Sequence, residues 1–216
     1  MSYRVALFDL DGTVLDTLDD LATATNYALE TEGFPTHTRE AVCSFVGNGI
    51  KDLIDRSVPN GTDEETTARV LNTFKQYYAT HCAVHTKPYE GIPTMLTALR
   101  AAGVRTALIS NKADFAVQAL VKDYFVGLFD AALGEVADLP RKPAPDMVYR
   151  VLKTLDARAE DAVFIGDSDV DVITAKNAGL PAIAVTWGFR DEAMLRAAGA
   201  TQLAHTPEEL LSLLTK

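Results

Sequence analysis

The sequence predicts an α/β protein: a parallel sheet with helices on both faces, interrupted near its start by an all-helical insertion. Three observations predict it. Short apolar runs recur at 3–10, 104–110, 131–134, 162–167 and 182–187, and those at 3–10 and 162–167 stop at carboxylate and glycine clusters, as buried parallel strands do at their C-terminal ends. Stretches with helical apolar spacing alternate with the later runs, and such alternation implies a parallel sheet covered on both faces. Residues 16–84 carry the helical period alone, with no strand pattern.

The elements follow in order. Tyr3-Arg-Val-Ala-Leu-Phe-Asp-Leu10 forms the first strand, and the insertion begins at Asp16, a few residues after that strand ends. Within the insertion, Thr62-Asp-Glu-Glu65 has the form of a capping box opening a helix that runs to about Val84. The chain returns near Lys87-Pro88, so both connections lie close together in a hinge-like arrangement. The expected division is therefore a core of 1–15 and 85–216, with 16–84 inserted. Leu96, Leu99 and Arg100 precede Gly103 at a helix end; Phe115, Val117, Leu120 and Val121 mark the next helix, and Met147, Val148, Val151 and Leu152 another. Thr206-Pro-Glu-Glu209 supplies a cap, a proline at the first helical position and a glutamate at the third, placing Leu210, Leu211 and Leu214 on a closing helix.

Composition removes whole classes of function. At 216 residues, 48% hydrophobic and 23% charged, with mean hydropathy +0.04, the chain is neither disordered nor fibrous. Lys and Arg total 20 against 30 Asp and Glu, a net charge of −10, so the average field repels nucleic acid and anionic membranes and an anionic substrate must be held locally. No apolar stretch reaches the roughly 18 residues of a membrane span, and Met1-Ser2-Tyr3-Arg4 runs straight into the first strand; a cytoplasmic protein, monomeric or homodimeric, is expected. Cys43 and Cys82 lack CxxC spacing and are expected as thiols, and His37, His81, His85 and His205 lack metal-ligand spacing.

The chemistry concentrates at strand ends. Asp9-Leu-Asp-Gly-Thr13 puts two carboxylates at i and i+2 where a buried strand stops, with Asp16 close behind. Carboxylates so placed repel one another unless a cation or a shared proton compensates, and Mg²⁺ takes one or two carboxylates while leaving positions for phosphate. A plain turn at Gly12 is the other reading of this fragment; a calcium loop fails because the required Glu is missing and a strand precedes it. Gly166-Asp-Ser-Asp-Val-Asp171 repeats the pattern after Val163-Phe-Ile165, with Asp167 and Asp171 four apart at a helix start, where simple capping would also select acids. In a doubly wound sheet such strand ends converge on one ligand. Ser110 and Asn111 close another strand, and Lys142, in Arg141-Lys-Pro-Ala-Pro-Asp146, offers a compact positive charge suited to phosphate oxygens. Taken singly, these read as a turn and a surface linker; the conjunction in this chain order carries the weight.

These residues resemble the four-part signature of the haloacid dehalogenase-like phosphohydrolases: Asp9-Leu-Asp-Gly-Thr13, Ser110, Lys142, and Gly166-Asp167-Ser168 with Asp171. The resemblance covers nearly the full length. Pro88-Tyr-Glu-Gly91, the stretch from Asp171 to Gly179, and Thr186-Trp-Gly188 resemble the phosphoglycolate phosphatase branch.

The resemblance implies a three-layer Rossmann-like core with the helical insertion as a cap. It also implies a Mg²⁺-dependent phosphatase of a small phosphomonoester, with 2-phosphoglycolate as substrate. By it Asp9 is the nucleophile that forms an aspartyl-phosphate, Asp11 the acid and then the base, and Ser110 and Lys142 complete the catalytic set. Asp9, the Asp11 carbonyl and Asp167 hold the metal, supported by Asp171, while Thr13, Ser110, Asn111 and Lys142 bind the substrate. The second aspartate, Asp11, is absent from dehalogenase-like members and replaced in phosphonate-cleaving ones; Leu21 stands near the position of the mutases' cap histidine. A pyrophosphatase and a sugar-phosphate phosphatase or mutase share the same core, and a non-catalytic binding module is the reading from another class. Gly47-Asn48-Gly49, with Lys51 and Arg56, is a candidate for meeting a substrate carboxylate, or else a plain interhelical turn with solvated cations. Trp187 and the Tyr77-Tyr78 pair read as packing.

Overall fold

The structure, a computed structural model, describes residues 3–216; Met1 and Ser2, assigned above to the core and to the approach to its first strand, lie outside the described residues. In chain order, β1 (Val5–Phe8) and the two-residue β2 (Leu15–Asp16) precede helices α1 (Leu18–Thr31), α2 (Arg39–Phe45), α3 (Gly49–Ser57) and α4 (Glu64–His81). The two-residue β3 (Lys87–Pro88) leads into α5 (Ile92–Ala101), β4 (Arg105–Ala113), α6 (Asp114–Tyr124), β5 (Ala131–Glu135) and α7 (Asp146–Thr154). Then come β6 (Ala162–Gly166), α8 (Asp169–Ala178), β7 (Ala182–Val185), α9 (Glu192–Ala197), β8 (Gln202–Ala204) and α10 (Pro207–Leu214). The chain forms two compact units, one running to Leu15 and resuming over Pro88–Lys216, the other Asp16–Lys87.

The larger unit is built on a six-stranded sheet in the order β5-β4-β1-β6-β7-β8, every neighbouring pair parallel. Its centre is β1, where Leu7 stands opposite Ala107 of β4 and Phe164 of β6. All four residues of β1 are wholly buried, so alternate side chains feed two cores. Ala6, Phe8, Leu108, Val163 and Ile165 pack with Leu96, Leu99, Val117, Leu210 and Leu214 on one face. Val5, Leu7, Ala107, Ile109 and Phe164 pack with Met147, Val148, Val151 and Ala175 on the other. This is the α/β architecture the alternating pattern predicts. Each fully buried phenylalanine, such as Phe8 or Phe164, contributes about 1.5–3 kcal/mol.

The sheet departs from expectation at its ends. β4 continues three residues past Ser110 to Ala113, because after an irregularity at Ile109 it regains β5 at Ala113 opposite Glu135. Gly134 allows this approach: a Cβ there would lie 2.6 Å from the Lys112 carbonyl oxygen. β7 stops at Val185, and β8, three residues on the sheet edge, has no counterpart in the sequence reading. The pair β2–β3, two residues each, is too short to show a period.

The smaller unit is helical, with Leu29, Val42, Ile54, Val70 and Phe74 buried. Its α4 starts one residue later than the expected box: Asp63 caps it, taking the Thr66 N–H at 2.8 Å, while the Thr62 hydroxyl donates to the Pro59 carbonyl. The helix ends at His81, not near Val84. Beyond it, the buried Asp20 carboxylate accepts the His85 and Thr86 N–H groups and the Thr86 hydroxyl, which fixes the turn. Among the described residues no helix is long and apolar enough to cross a membrane.

Candidate active site

Asp9 follows β1, its N–H bonded to the Ile165 carbonyl of β6 at 2.9 Å. The chain then turns tightly, with Val14 and Leu15 N–H groups both on the Leu10 carbonyl. The turn demands glycine at position 12, where φ is +88° and a Cβ would stand 2.3 Å from Asp167 Oδ2. Because β1 and β6 are parallel neighbours, Asp9 and Asp167 emerge side by side. The Asp167 carboxylate is held at both oxygens: Oδ1 accepts the Thr13 hydroxyl at 2.8 Å, and Oδ2 accepts the Phe189 N–H at 2.7 Å.

Helix α8 is capped by Ser168, whose hydroxyl accepts the Asp171 N–H while Asp171 Oδ2 accepts the Ser168 N–H and hydroxyl. This capping box turns the other Asp171 oxygen toward Lys142, whose Nζ lies 2.7 Å from Asp171 Oδ1 and 2.8 Å from Asp9 Oδ1. Asp9, Asp167 and Asp171 offer carboxylate oxygens within 4.8 Å of one another, all buried. Asp171, expected in a supporting role, lies within this set, with its two oxygens on Lys142 and Ser168.

From β4, Ser110, Asn111 and Lys112 are all nearly buried. The Ser110 hydroxyl accepts the Lys112 N–H at 3.2 Å. Asn111 donates to the Lys142 carbonyl at 3.0 Å and accepts the Lys142 N–H at 2.9 Å, a two-point clamp on the backbone of the neighbouring loop. Lys112 places its ammonium 3.0 Å from Asp11 Oδ1. Asn111 and Thr13, expected at the substrate, are thereby engaged on Lys142 and Asp167.

Electrostatics follow from this crowding. Burial pushes the Asp9 carboxyl well above the ordinary carboxylate range, and Asp171 pushes it further against the pull of Lys142. Asp167 is pushed up to about 7 by burial and then by Asp171, with the Phe189 N–H, the Thr13 hydroxyl and Arg190 opposing. Burial works against the Lys142 charge, yet Asp171 and Asp9 outweigh it and hold the ammonium above the ordinary lysine value. Lys142 therefore pairs with two of the three crowded carboxylates, Asp9 and Asp171. These hard oxygen donors with a deficit of positive charge could hold a metal ion, and a divalent cation would relieve the burden that raises both aspartates.

Four features here escaped the sequence reading. Lys112 has no role in the sequence reading; a lysine two residues past Ser110, at the end of a largely apolar run, is the available signal, since buried lysines are paired. Trp187 packs against the core, as expected, but its indole N–H also donates to the Thr13 carbonyl at 3.0 Å. Gly188 passes so close to Asp167 that a Cβ would lie 2.4 Å from Oδ2, and Arg190, nearly buried, stands 3.8 Å from Asp169. Lys51 and Arg56, candidates for a substrate carboxylate, pair within α3 with Asp55 at 2.6 Å and Asp52 at 2.8 Å.

The chain is similar to known proteins over most of its length. Residues 6–185 match the family model described as haloacid dehalogenase-like hydrolase. A phosphoglycolate phosphatase of Aquifex aeolicus is 32% identical over 86% of this chain and 86% of its own. Phosphoglycolate phosphatase 1 of Pseudomonas aeruginosa is 35% identical over 86% of this chain and 70% of its own. A solved structure from Lactobacillus delbrueckii subsp. bulgaricus superposes with TM-score 0.95 at 39% identity, covering 99% of each chain. With carboxylates gathered at the ends of β1 and β6 and phosphatases among its relatives, this chain belongs to the haloacid dehalogenase-like hydrolase family and is an enzyme of that family.

Proposed function

We propose that the enzyme is a Mg²⁺-dependent phosphatase of small phosphomonoesters, with 2-phosphoglycolate as substrate, working through an aspartyl-phosphate on Asp9. The observation that carries this reading is the meeting of Asp9, Asp167 and Asp171 within 4.8 Å, with Lys142 bridging Asp9 and Asp171. The substrate follows from the activity named for the curated relatives.

In this reading an Asp9 oxygen attacks phosphorus in line with the ester oxygen. The P–O bond to the leaving group breaks as Asp11 gives its proton to that oxygen. Lys142 and the Ser110 hydroxyl hold the non-bridging phosphoryl oxygens and stabilise the charge that spreads over them. Asp11, now a carboxylate, takes a proton from water as the water oxygen attacks phosphorus, which returns inorganic phosphate and free Asp9. Asp9, Asp167 and the Asp11 carbonyl would hold Mg²⁺ with Asp171 beside them, and the ion would offset the repulsion between a carboxylate nucleophile and a phosphate dianion. Thr13 and Asn111 act by holding Asp167 and the Lys142 backbone. The core groups contact only phosphate in this scheme, so choice among esters falls to the helical insertion, residues 16–84, as a cap.

The test is phosphate release from 2-phosphoglycolate, pyrophosphate, hexose phosphates and nucleotides, with Mg²⁺ and with chelator. Expected are a preference for 2-phosphoglycolate and loss of activity on chelation. Asp9→Asn abolishes turnover, and Asp11→Asn lowers it by about 10²–10⁴. Undiminished turnover by Asp9→Asn excludes the covalent route, and a preference for pyrophosphate or hexose phosphates replaces the substrate.

A further inference from the structure

Resting on the reading of Asp167 as a metal ligand, we infer that residues 187–189 are the positioning element for that ligand, anchored by the indole of Trp187. β7 ends at Val185, and residues 186–190 that follow it are a run of bends outside helix and strand. Each of three consecutive residues there meets the site at a different point. The Trp187 indole N–H donates to the Thr13 carbonyl at 3.0 Å. Gly188 passes so close that a Cβ would stand 2.3 Å from Asp167 Cβ and 2.4 Å from both Asp167 Oδ2 and the Gly12 carbonyl oxygen. The Phe189 N–H donates to Asp167 Oδ2 at 2.7 Å.

These contacts close a ring. It runs from Asp167 Oδ1 to the Thr13 hydroxyl, from the Thr13 carbonyl to the indole, along the chain to Phe189 and back to Oδ2. Thr13 steadies Asp167 only as firmly as its own backbone is held. Its N–H reaches the Leu10 carbonyl within the turn at 3.3 Å, while the indole ties its carbonyl to a segment 174 positions away. An indole has a single donor, so packing of the ring against the core of Phe8, Leu96 and Leu210 also fixes the direction of that donor. Outer contacts of this kind hold a ligand in its binding orientation beforehand, which tightens binding. Without the indole N–H the Thr13 backbone is released, and the Asp167 carboxylate spends part of its time turned away from Asp9 and Asp171.

The experiment is isothermal titration calorimetry of Mg²⁺ into the substrate-free protein, set beside the Mg²⁺ dependence of phosphate release. Trp187→Phe keeps an aromatic ring and removes the donor. It is expected to bind Mg²⁺ about 3- to 10-fold more weakly, with half-maximal release shifted by the same factor and kcat at saturating Mg²⁺ within about threefold of wild type. Leu214→Ala, on α10 in the same core, is expected to lower Tm at least as far with Mg²⁺ affinity unchanged. Gly188→Ala leaves the indole in place and presses on Asp167 directly; it is expected to weaken Mg²⁺ about 10- to 100-fold, and it decides the role of the segment if Trp187→Phe does not fold. Wild-type affinity in Trp187→Phe would overturn the inference, as would an equal weakening in Leu214→Ala, which would trace the effect to general loss of stability. If Asp167→Asn keeps the affinity of wild type, Asp167 is not the ligand and the inference falls with that reading; if Asp167→Asn loses it and neither Trp187→Phe nor Gly188→Ala does, the inference alone falls.

Discussion

Replacing Gly12 by alanine isolates a contact at the centre of the site. The added Cβ would stand 2.3 Å from Asp167 Oδ2, 2.7 Å from Cγ and 2.8 Å from Oδ1. Relief to the 3.4 Å of an ordinary contact needs a shift of about 1 Å. The carboxylate has little room to give, since its oxygens are fixed by Thr13 and Phe189. A displacement of that size at a reacting centre costs about 10²-fold in rate, and misplaced ligand support costs about 10- to 100-fold in metal affinity. Backbone strain adds a separate penalty, because Gly12 has φ +88°, and alanine in the left-handed region costs about 1–2 kcal/mol. Gly103→Ala separates the two effects: its φ is +78°, yet nothing lies within 4 Å of the added Cβ. Melting by calorimetry and phosphate release as a function of Mg²⁺ concentration are the assays. Gly103→Ala should lower Tm by about 2–8 °C at full activity; Gly12→Ala should lower it at least as far and also lose about two orders of magnitude in turnover. Equal activity of the two variants would refute the reasoning, since the Asp167 contact is the difference between them.

Three further outcomes follow from the same groups. Asn111→Ala removes both hydrogen bonds to the Lys142 backbone and should cost about 2–3 kcal/mol in urea unfolding while lowering kcat; unchanged stability would show the clamp to be idle. Lys142→Met leaves the carboxylates uncompensated and should destabilise the metal-free protein by about 3–5 kcal/mol, with added Mg²⁺ raising Tm more than in wild type. Asp167 sits at about 7 when folded against an ordinary 3.8, so its contribution to metal-free stability is complete below about pH 4 and is lost as pH rises through 7. Calorimetry in chelator should show Tm falling over that window, and Asp167→Asn should flatten the fall.

The strands that carry the chemistry were legible because they are buried on both faces. Val5–Phe8 and Ala162–Gly166 read as unbroken apolar runs ending in carboxylates, and parallel pairing alone then brings Asp9 beside Asp167. The hydroxyl of Thr13 reaching Asp167 was not legible, since it depends on a turn whose geometry is set across 154 positions of sequence separation. Lys112 was hidden for a related reason: β4 continues past Ser110 only because β5 pairs with it again at Glu135. At the start of α4, Thr62 and Asp63 are both competent caps, and the choice fell to the residue whose carboxylate meets the Thr66 N–H while the other closes the Pro59 turn. The edge strand β8 has three residues, too few for a period of two to declare itself.

The chain has a single tryptophan, and its indole N–H is tied to the carbonyl of Thr13, four residues beyond Asp9. The next residue, Gly188, abuts the Asp167 carboxylate. Ultraviolet emission from this protein therefore has one indole source, and that source is fastened to the loop carrying the nucleophile. Binding or turnover that stirs the loop is readable as a change in intrinsic fluorescence, with no label attached and no second indole to disentangle.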